Sequence, residues 1–150
     1  MSAPSMSMIY LEDMENIALG GAFLGTGGGG DPYIGKLMAR QAIAANGPVE
    51  VIDVETLPDD ALVVPVAMMG APTVMLEKLP QGGEALSALQ SLQNYLGRKA
   101  DAVFCIEAGG LNSTIPIAVA ASAGLPIIDG DGMGRAFPEL QMVSMTMHHI

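Results

Sequence analysis

The sequence predicts an α/β fold with a parallel or mixed sheet and flanking helices, formed by a single domain over residues 1–150. Two observations favour this fold. Short apolar runs of strand length alternate along the chain with segments of helical periodicity. The stretch Asp101–Glu139 also reads strand, helix, strand, which predicts a βαβ unit over residues 102–129 with a right-handed crossover.

The first third of the chain predicts one short strand and two helices. Met8–Tyr10 is apolar enough for a strand, and Leu11–Leu24 carries its apolar residues at helical spacing. Asp31 followed by Pro32 is a strong start signal for a second helix, because Asp caps free N–H groups and Pro is tolerated in the first turn. Gly47-Pro48 ends that helix.

The middle of the chain continues the alternation. Val49–Val54 alternates as a half-buried strand does, and Ala61–Met69 is a longer apolar run. Pro65 inside that run favours an edge position, because proline cannot donate to a neighbouring strand. Gly70–Thr73 predicts a glycine turn, and Glu84–Leu96 predicts an amphipathic helix that Gly97 ends.

The last third contains the βαβ unit. Ala102–Ile106 is a buried strand, Ile117–Ala123 has helical composition, and Pro126–Ile128 begins a second strand that ends at Asp129. Leu140–Met147 looks extended. The three residues in front of the helix are all good N-caps: Asn112, Ser113 and Thr114.

Composition and charge exclude several classes of protein. The formal net charge of −10 disfavours binding to nucleic acid or to an anionic membrane. No signal peptide is recognisable and no apolar run reaches the roughly 18–20 residues of a membrane span, so we expect a soluble cytoplasmic protein. Cys105 lies in an apolar run and is expected to be a small buried hydrophobe. The twelve methionines are expected to fill the core.

A glycine-rich loop, Gly25–Gly30, leads into the helix that begins after Asp31. Free N–H groups at a helix N-terminus can hold an anion, which favours a ligand-binding loop. The loop is not a phosphate-binding P-loop, because no GK[ST] follows and a helix precedes it. A flexible connector is the alternative, with nearly even weight.

Polar residues follow both strands of the βαβ unit, at the edge of the sheet where ligands bind in open α/β folds. Glu107, Asp129 and Asp131 are the candidate catalytic carboxylates, which could bind a divalent metal ion or supply a general base for water. Arg135 could clamp a substrate or pair with Asp129 or Asp131. Asn112 could donate to a ligand or cap the helix. No HExxH or GxSxG motif occurs.

Three segments carry a family resemblance: LGTGGGGDPYIG, EAGGLNSTIPI and DGDGMGRAFPELQM, in this order. A fourth, VPVAMMGAPTVMLEKL, lies between the first and the second. From about Leu11 to Met147, the chain resembles the N-terminal domain of the S-methyl thiohydantoin desulfurase-like family, formerly a domain of unknown function that is associated with hydantoinase/oxoprolinase systems.

The resemblance implies a function and a site. Family members are longer and carry a second, C-terminal domain, so this chain resembles their front part. The implied chemistry is hydrolysis on a five-membered cyclic amide or thioamide, with loss of a sulfur substituent, and the implied partners are that small molecule, a homo-oligomer or a missing C-terminal domain. The residues expected to bind substrate are Gly27, Gly28, Gly29, Asp31, Gly109, Gly110, Asn112, Met133 and Arg135.

Two other interpretations remain open. The chain could be a non-catalytic module that binds a small ligand or a cation and works as a subunit. Alternatively, the glycines could serve close packing and the acids could simply be solvated; carboxylates that lie apart in space would favour this interpretation.

Overall fold

The computed structural model describes residues 7–78 and 80–149 and has an α/β fold. Its five-stranded sheet has the order β1-β2-β5-β4-β3. The strands are β1 (Met8–Ile9), β2 (Val49–Ile52), β3 (Val63–Val66), β4 (Ala102–Cys105) and β5 (Ile127–Asp131). β1 pairs with β2 antiparallel, and all other pairs are parallel, so the sheet is mixed, as predicted.

Five α-helices connect and flank the strands. They are α1 (Met14–Gly25), α2 (Pro32–Asn46), α3 (Pro72–Glu77), α4 (Glu84–Leu96) and α5 (Ile115–Ala123). The predicted bounds of α4 are confirmed, as are the start of α2 after Asp31 and its end at Gly47. Asp31 accepts a hydrogen bond from the backbone N–H of Tyr33, which caps α2. None of the described helices is long and apolar enough to cross a membrane.

The βαβ unit is confirmed as β4, α5 and β5, and it forms the centre of the molecule. β4 and β5 are adjacent and parallel, and α5 is buried along most of its length. Because α5 packs mainly against α2, two apolar faces close over each other there. Pro65 lies in β3, the outer strand of the sheet, so the predicted edge position is confirmed.

The core is aliphatic, as the composition predicts, but methionine fills less of it than expected. Met14 is fully buried, whereas Met69 is 78% exposed and Met147 is 79% exposed. The expectation that the methionines are core filler is therefore wrong for several of them. These exposed methionines follow the carboxyl ends of β3 and β5.

Several predicted element bounds need correction; the strand expected at Val49–Val54, for example, ends at Ile52. The turn expected at Gly70–Thr73 leads into α3, and β5 continues to Asp131 instead of ending at Asp129. Leu140–Met147 is not extended: 3-10 helices form at Leu140–Met142 and Ser144–His148. The reason lies in the sheet, since β5 is already paired on both sides and the N–H of Ser144 donates instead to the carbonyl of Gly132 at 2.6 Å.

Candidate functional site

A cavity of about 760 Å³ opens at the carboxyl ends of β3 and β4. Five segments form its walls: the loop after β3 with the start of α3, the two residues that follow β4, residues 111 and 112 before α5, the junction of the glycine loop with α2, and residues 137–140. Its size falls in the range of roughly 300–1,000 Å³ that is typical of small-molecule pockets. It lies at the sheet edge where open α/β folds bind ligands.

Glu107 contributes a buried carboxylate to this cavity. It is 6% exposed and is the only acidic or basic residue that is buried among residues 7–78 and 80–149. Its Oε1 accepts from Nδ2 of Asn112 at 2.7 Å, and its Oε2 accepts from the backbone N–H of Phe137 at 2.8 Å. The two ion pairs of the described chain lie elsewhere, so both partners of this carboxylate are neutral donors.

Asn112 connects Glu107 to the end of β3. Besides donating to Glu107, its Nδ2 donates to the carbonyl of Met68 at 3.2 Å, and its Oδ1 accepts from the N–H of Met68 at 2.8 Å. The predicted capping role is wrong, because Thr114 is the N-cap residue of α5 and makes no side-chain cap bond. Both amide protons of Asn112 face protein acceptors, so this geometry favours a positioning role over donation to a ligand.

The glycine loop packs its backbone against the loop that follows β4. The carbonyl of Gly28 accepts from the N–H of Gly110 at 3.2 Å, and the carbonyl of Gly29 accepts from the N–H groups of Leu111 and Asn112 at 2.7 and 3.0 Å. A Cβ atom on Gly109 would lie only 2.6 Å from Cα of Gly29. Glycine is therefore required here by the close approach of two backbones.

This packing changes the interpretation of the loop. The interpretation as a flexible connector is wrong for Gly28 and Gly29, since their carbonyls accept hydrogen bonds from a second loop. Gly29 lines the cavity, whereas Gly27, Gly28, Gly109 and Gly110 do not. Asp31 also lines the cavity, and its carboxylate occupies the N-terminus of α2, which disfavours an anion at that helix end.

Asp129 and Asp131 do not reach the cavity. Both are exposed in β5, and Oδ1 of Asp131 accepts from the N–H groups of Met133 and Gly134. Within the described ranges, no three His, Cys, Asp or Glu residues form a group that could hold a metal ion. The expectation that Glu107, Asp129 and Asp131 share one hollow is therefore wrong. Glu107 turns inward to Phe137, whereas Asp131 turns to its own loop.

The negative charges of Asp129 and Asp131 in β5 affect the pKa of the Cys105 thiol. Burial raises the pKa of the Cys105 thiol from its ordinary value of 9.0 to about 12, and the negative charges of Asp131 and Asp129 add to this effect. Cys105 pairs in register with Asp131 across β4 and β5. The prediction of a small buried hydrophobe is confirmed in part, because the Cys105 residue is only partly buried. A thiol that stays protonated is also a poor nucleophile, as predicted.

Arg135 and Met133 also lie outside the cavity lining. Arg135 is exposed, and its Nε donates to the carbonyl of Ala136 at 3.1 Å. The alternative that it pairs with Asp129 or Asp131 is not observed among the ion pairs of the described residues. Of the expected site residues, the cavity gathers four: Gly29, Asp31, Glu107 and Asn112.

Several residues of the site were missed from the sequence. Met68 holds both ends of the Asn112 amide, and Phe137 supplies a backbone donor to Glu107. The signal was present in part: the Gly70–Thr73 turn marks a strand end, and Phe137 falls in the specific DGDGMGRAFPELQM segment. No pattern, however, indicates that a backbone N–H thirty positions downstream points at Glu107.

Comparisons with known proteins support the fold of this chain. A crystal structure of a protein from Chromobacterium violaceum is 32% identical to this chain, with a TM-score of 0.71. The match covers 97% of this chain but only 40% of that protein, so the present chain spans less than half the length of this relative. No curated protein matches the chain.

The model of one protein family, described as S-Me-THD-like, N-terminal domain, matches residues 12–150. The match includes every segment that lines the cavity, from the glycine loop to residues 137–140. The chain therefore belongs to the S-Me-THD-like family, of which it represents the N-terminal domain.

Proposed function

We propose that this chain is the N-terminal part of a hydrolase-like protein that acts on a cyclic amide or thioamide of the hydantoin or S-methyl thiohydantoin type. One observation carries the proposal: Glu107 is a buried carboxylate with no cationic partner in residues 7–78 and 80–149, at the wall of a cavity of ligand size. Buried acids of this kind are more typical of functional sites than of cores.

Glu107 has the capacity to act on water. Each carboxylate oxygen has two acceptor sites, and each oxygen of Glu107 receives one protein donor, so one site on each remains. A water molecule held there could give its proton to Glu107 while its oxygen attacks the ring carbon that bears sulfur. The attack moves an electron pair of the C=N bond onto the ring nitrogen. As the carbon–sulfur bond then breaks, the departing thiolate takes the proton held by Glu107, and the hydroxyl proton of the intermediate passes to the ring nitrogen, which leaves a ring carbonyl and a free thiol.

The remaining expected residues have weaker support. Asp129, Asp131 and Arg135 lie outside the cavity, so their roles in catalysis and substrate binding stay predictions. The described residues do not fit a divalent metal ion, and no step is assigned to one. Cytoplasmic location and self-association also stay predictions, the second of which light scattering at working concentration would test.

The alternative is a non-catalytic module or subunit of a hydantoinase/oxoprolinase-type system that holds a small ligand. The described lining of the cavity contains no Lys, Arg or His residue, which favours this alternative, because one carboxylate suffices to bind a ring N–H but hydrolysis also needs a group that stabilises developing negative charge. Binding of a ring without turnover, in this chain and in a longer relative, would support the alternative.

The test combines ring binding and turnover. Hydantoin and its 2-methylthio analogue should bind to the chain by calorimetry, and Glu107→Gln should weaken binding, since the neutral amide loses the charge that accepts from a ring N–H or water. Glu50→Gln is the matched control, because Glu50 is exposed on β2. In the longer Chromobacterium violaceum protein, the same change at the superimposed position should abolish thiol release. Binding that Glu107→Gln leaves unchanged would contradict the proposal.

A further inference from the structure

The mouth of the cavity is bordered by apolar side chains that lie in solvent. Met69, Val74 and Leu140 all line the cavity, and they are 78%, 50% and 57% exposed. We refer to these three residues as the apolar rim. Large exposed side chains grouped around one opening are typical of a surface that another polypeptide covers, whereas single exposed apolar residues are ordinary.

The last described segment follows Leu140 of the rim within a few residues of the chain. The segment Ser144–His148 is tied to the end of β5 through the hydrogen bond from Ser144 to Gly132. Met142 and Met147 in the same region are 43% and 79% exposed. In a longer family member, whatever follows this domain therefore starts from the sheet edge that holds the cavity, and not from the opposite edge.

The cavity also lacks groups that its ligand would need. Among its described lining residues none is Lys, Arg or His, while Asp31, Glu107 and Glu139 supply three carboxyl groups. A hydrolytic site needs donors or a cation where negative charge develops. Backbone N–H groups of the lining can supply part of this, but a positive side chain can come only from outside the described lining.

We infer that the apolar rim is the docking surface for the polypeptide that follows this domain in longer family members, and that this polypeptide closes the cavity and brings a basic side chain towards Glu107. The Chromobacterium violaceum relative contains additional polypeptide that could occupy the rim, since more than half of that protein lies outside the match. The methionines suit such a surface, because their flexible thioethers adapt to a partner. The inference rests on the proposed function, because it assumes that the ligand binds in this cavity.

A second exposed apolar surface makes the assignment testable. Leu19 and Phe23 on α1 are 70% and 79% exposed, but they do not line the cavity. The α1 surface therefore serves as an internal control.

The experiment measures cysteine labelling in both lengths of protein. Leu140→Cys and Met69→Cys report on the rim, and Leu19→Cys reports on α1. The native Cys105 should not be labelled near neutral pH, because its thiol stays protonated. Maleimide rates are compared between the 150-residue chain and the Chromobacterium violaceum protein with cysteines at the superimposed positions. We expect rim cysteines to react at least about tenfold slower in the longer protein, since labelling must await opening of the covered surface, and Leu19→Cys to react equally in both.

Each other outcome overturns the inference. Equal rates at the rim would show that nothing covers it, and protection of Leu19→Cys alone would place the partner on α1. Slow rim labelling in the 150-residue chain that speeds up on dilution would identify a second copy as the occupant. Should a rim variant misfold, the solvent exposure of the superimposed residues in the solved Chromobacterium violaceum structure gives the same answer. Ring binding, measured separately, distinguishes failure of the docking surface from failure of the proposed chemistry.

Discussion

Nδ2 of Asn112 donates to Oε1 of Glu107 over 2.7 Å, and the two residues are only 4% and 6% exposed. The bond links Glu107, two residues after the end of β4, to Asn112, three residues before the start of α5. Through Met68, the same amide also reaches the end of β3. One buried side chain thus fixes three chain segments around the cavity, and the orientation of the carboxylate depends on it.

Replacing Asn112 by Asp should unfold the site. The substitution removes the donor to Glu107 and places a second carboxylate within hydrogen-bonding distance of the first, in a buried position. We expect a loss of about 3–5 kcal/mol in the free energy of unfolding, measured by urea denaturation, since an uncompensated buried charge costs that much. Asn16→Asp is the control: Asn16 is exposed on α1, and its change should stay within about 0.5 kcal/mol. A loss at Asn112 no larger than at Asn16 would refute the positioning role.

Gly29→Ala should be far more damaging than Gly20→Ala. Gly29 has φ of +74°, and an added Cβ would overlap the backbone of Gly109. Gly20 lies within α1, and a Cβ there would meet no atom within 4 Å. Thermal denaturation should show Gly29→Ala destabilised by about 2 kcal/mol or more, from strain and overlap together, and Gly20→Ala stabilised by up to about 1 kcal/mol through helix propensity. Equal effects would mean that the loops do not pack as described.

The Cys105 thiol should be nearly inert at neutral pH. With its pKa raised from 9.0 to about 12, the thiolate fraction at pH 8 falls roughly a thousandfold relative to an ordinary thiol. Reaction with an aromatic disulfide reagent should be slow in the native protein and fast in urea. Rapid reaction without denaturant would contradict the burial of the sulfur.

The same shift predicts a dependence of stability on pH. Because the folded pKa lies above the unfolded one, the folded state retains the proton between about pH 9 and pH 12 while the unfolded state loses it. The stabilisation is complete below pH 9 and is lost as the pH rises through 12. The difference in unfolding free energy between the native chain and Cys105→Ala should be flat up to about pH 9 and shift against the native chain above it. A flat difference up to pH 11 would rule this out.

Asp31→Ala should weaken α2, and Asp31→Asn should not. The Asp31 carboxylate accepts the N–H of Tyr33, and the side-chain oxygen of Asn can replace it. We expect the alanine variant to lose about 1 kcal/mol by urea denaturation and the asparagine variant to lose at most a few tenths. A loss of the same size in both would point to the charge of Asp31, and not its capping bond, as the stabilising feature.

Local signals in the sequence predict much of this fold. Capping and stop residues place α2 and α4, since Asp31, Gly47 and Gly97 act on their immediate neighbours. The βαβ unit follows in the same way from two apolar runs around one helix. The segment after β5 could not be placed, because its alternation resembles a strand while the sheet offers no free neighbour beside β5.

The candidate site was harder to predict for a physical reason. The sequence indicates that Glu107, Asp129 and Asp131 follow adjacent parallel strands, but it does not indicate which way each side chain turns. Glu107 turns inward because Asn112 and the N–H of Phe137 meet it there, whereas Asp131 finds its donors within its own loop. Such choices depend on groups that only the folded chain brings together.

The joined glycine loops also bear on the order in which the molecule assembles. The bonds from Gly110 and Leu111 to the carbonyls of Gly28 and Gly29 connect segments far apart in the chain, so they can form only after α1, α2 and the βαβ unit have met. Local opening of the native state breaks such hydrogen bonds and lets their amide protons exchange with solvent. Amide hydrogen exchange at Gly110 and Leu111 would therefore measure how often the two loops separate. Each separation would open this part of the cavity wall.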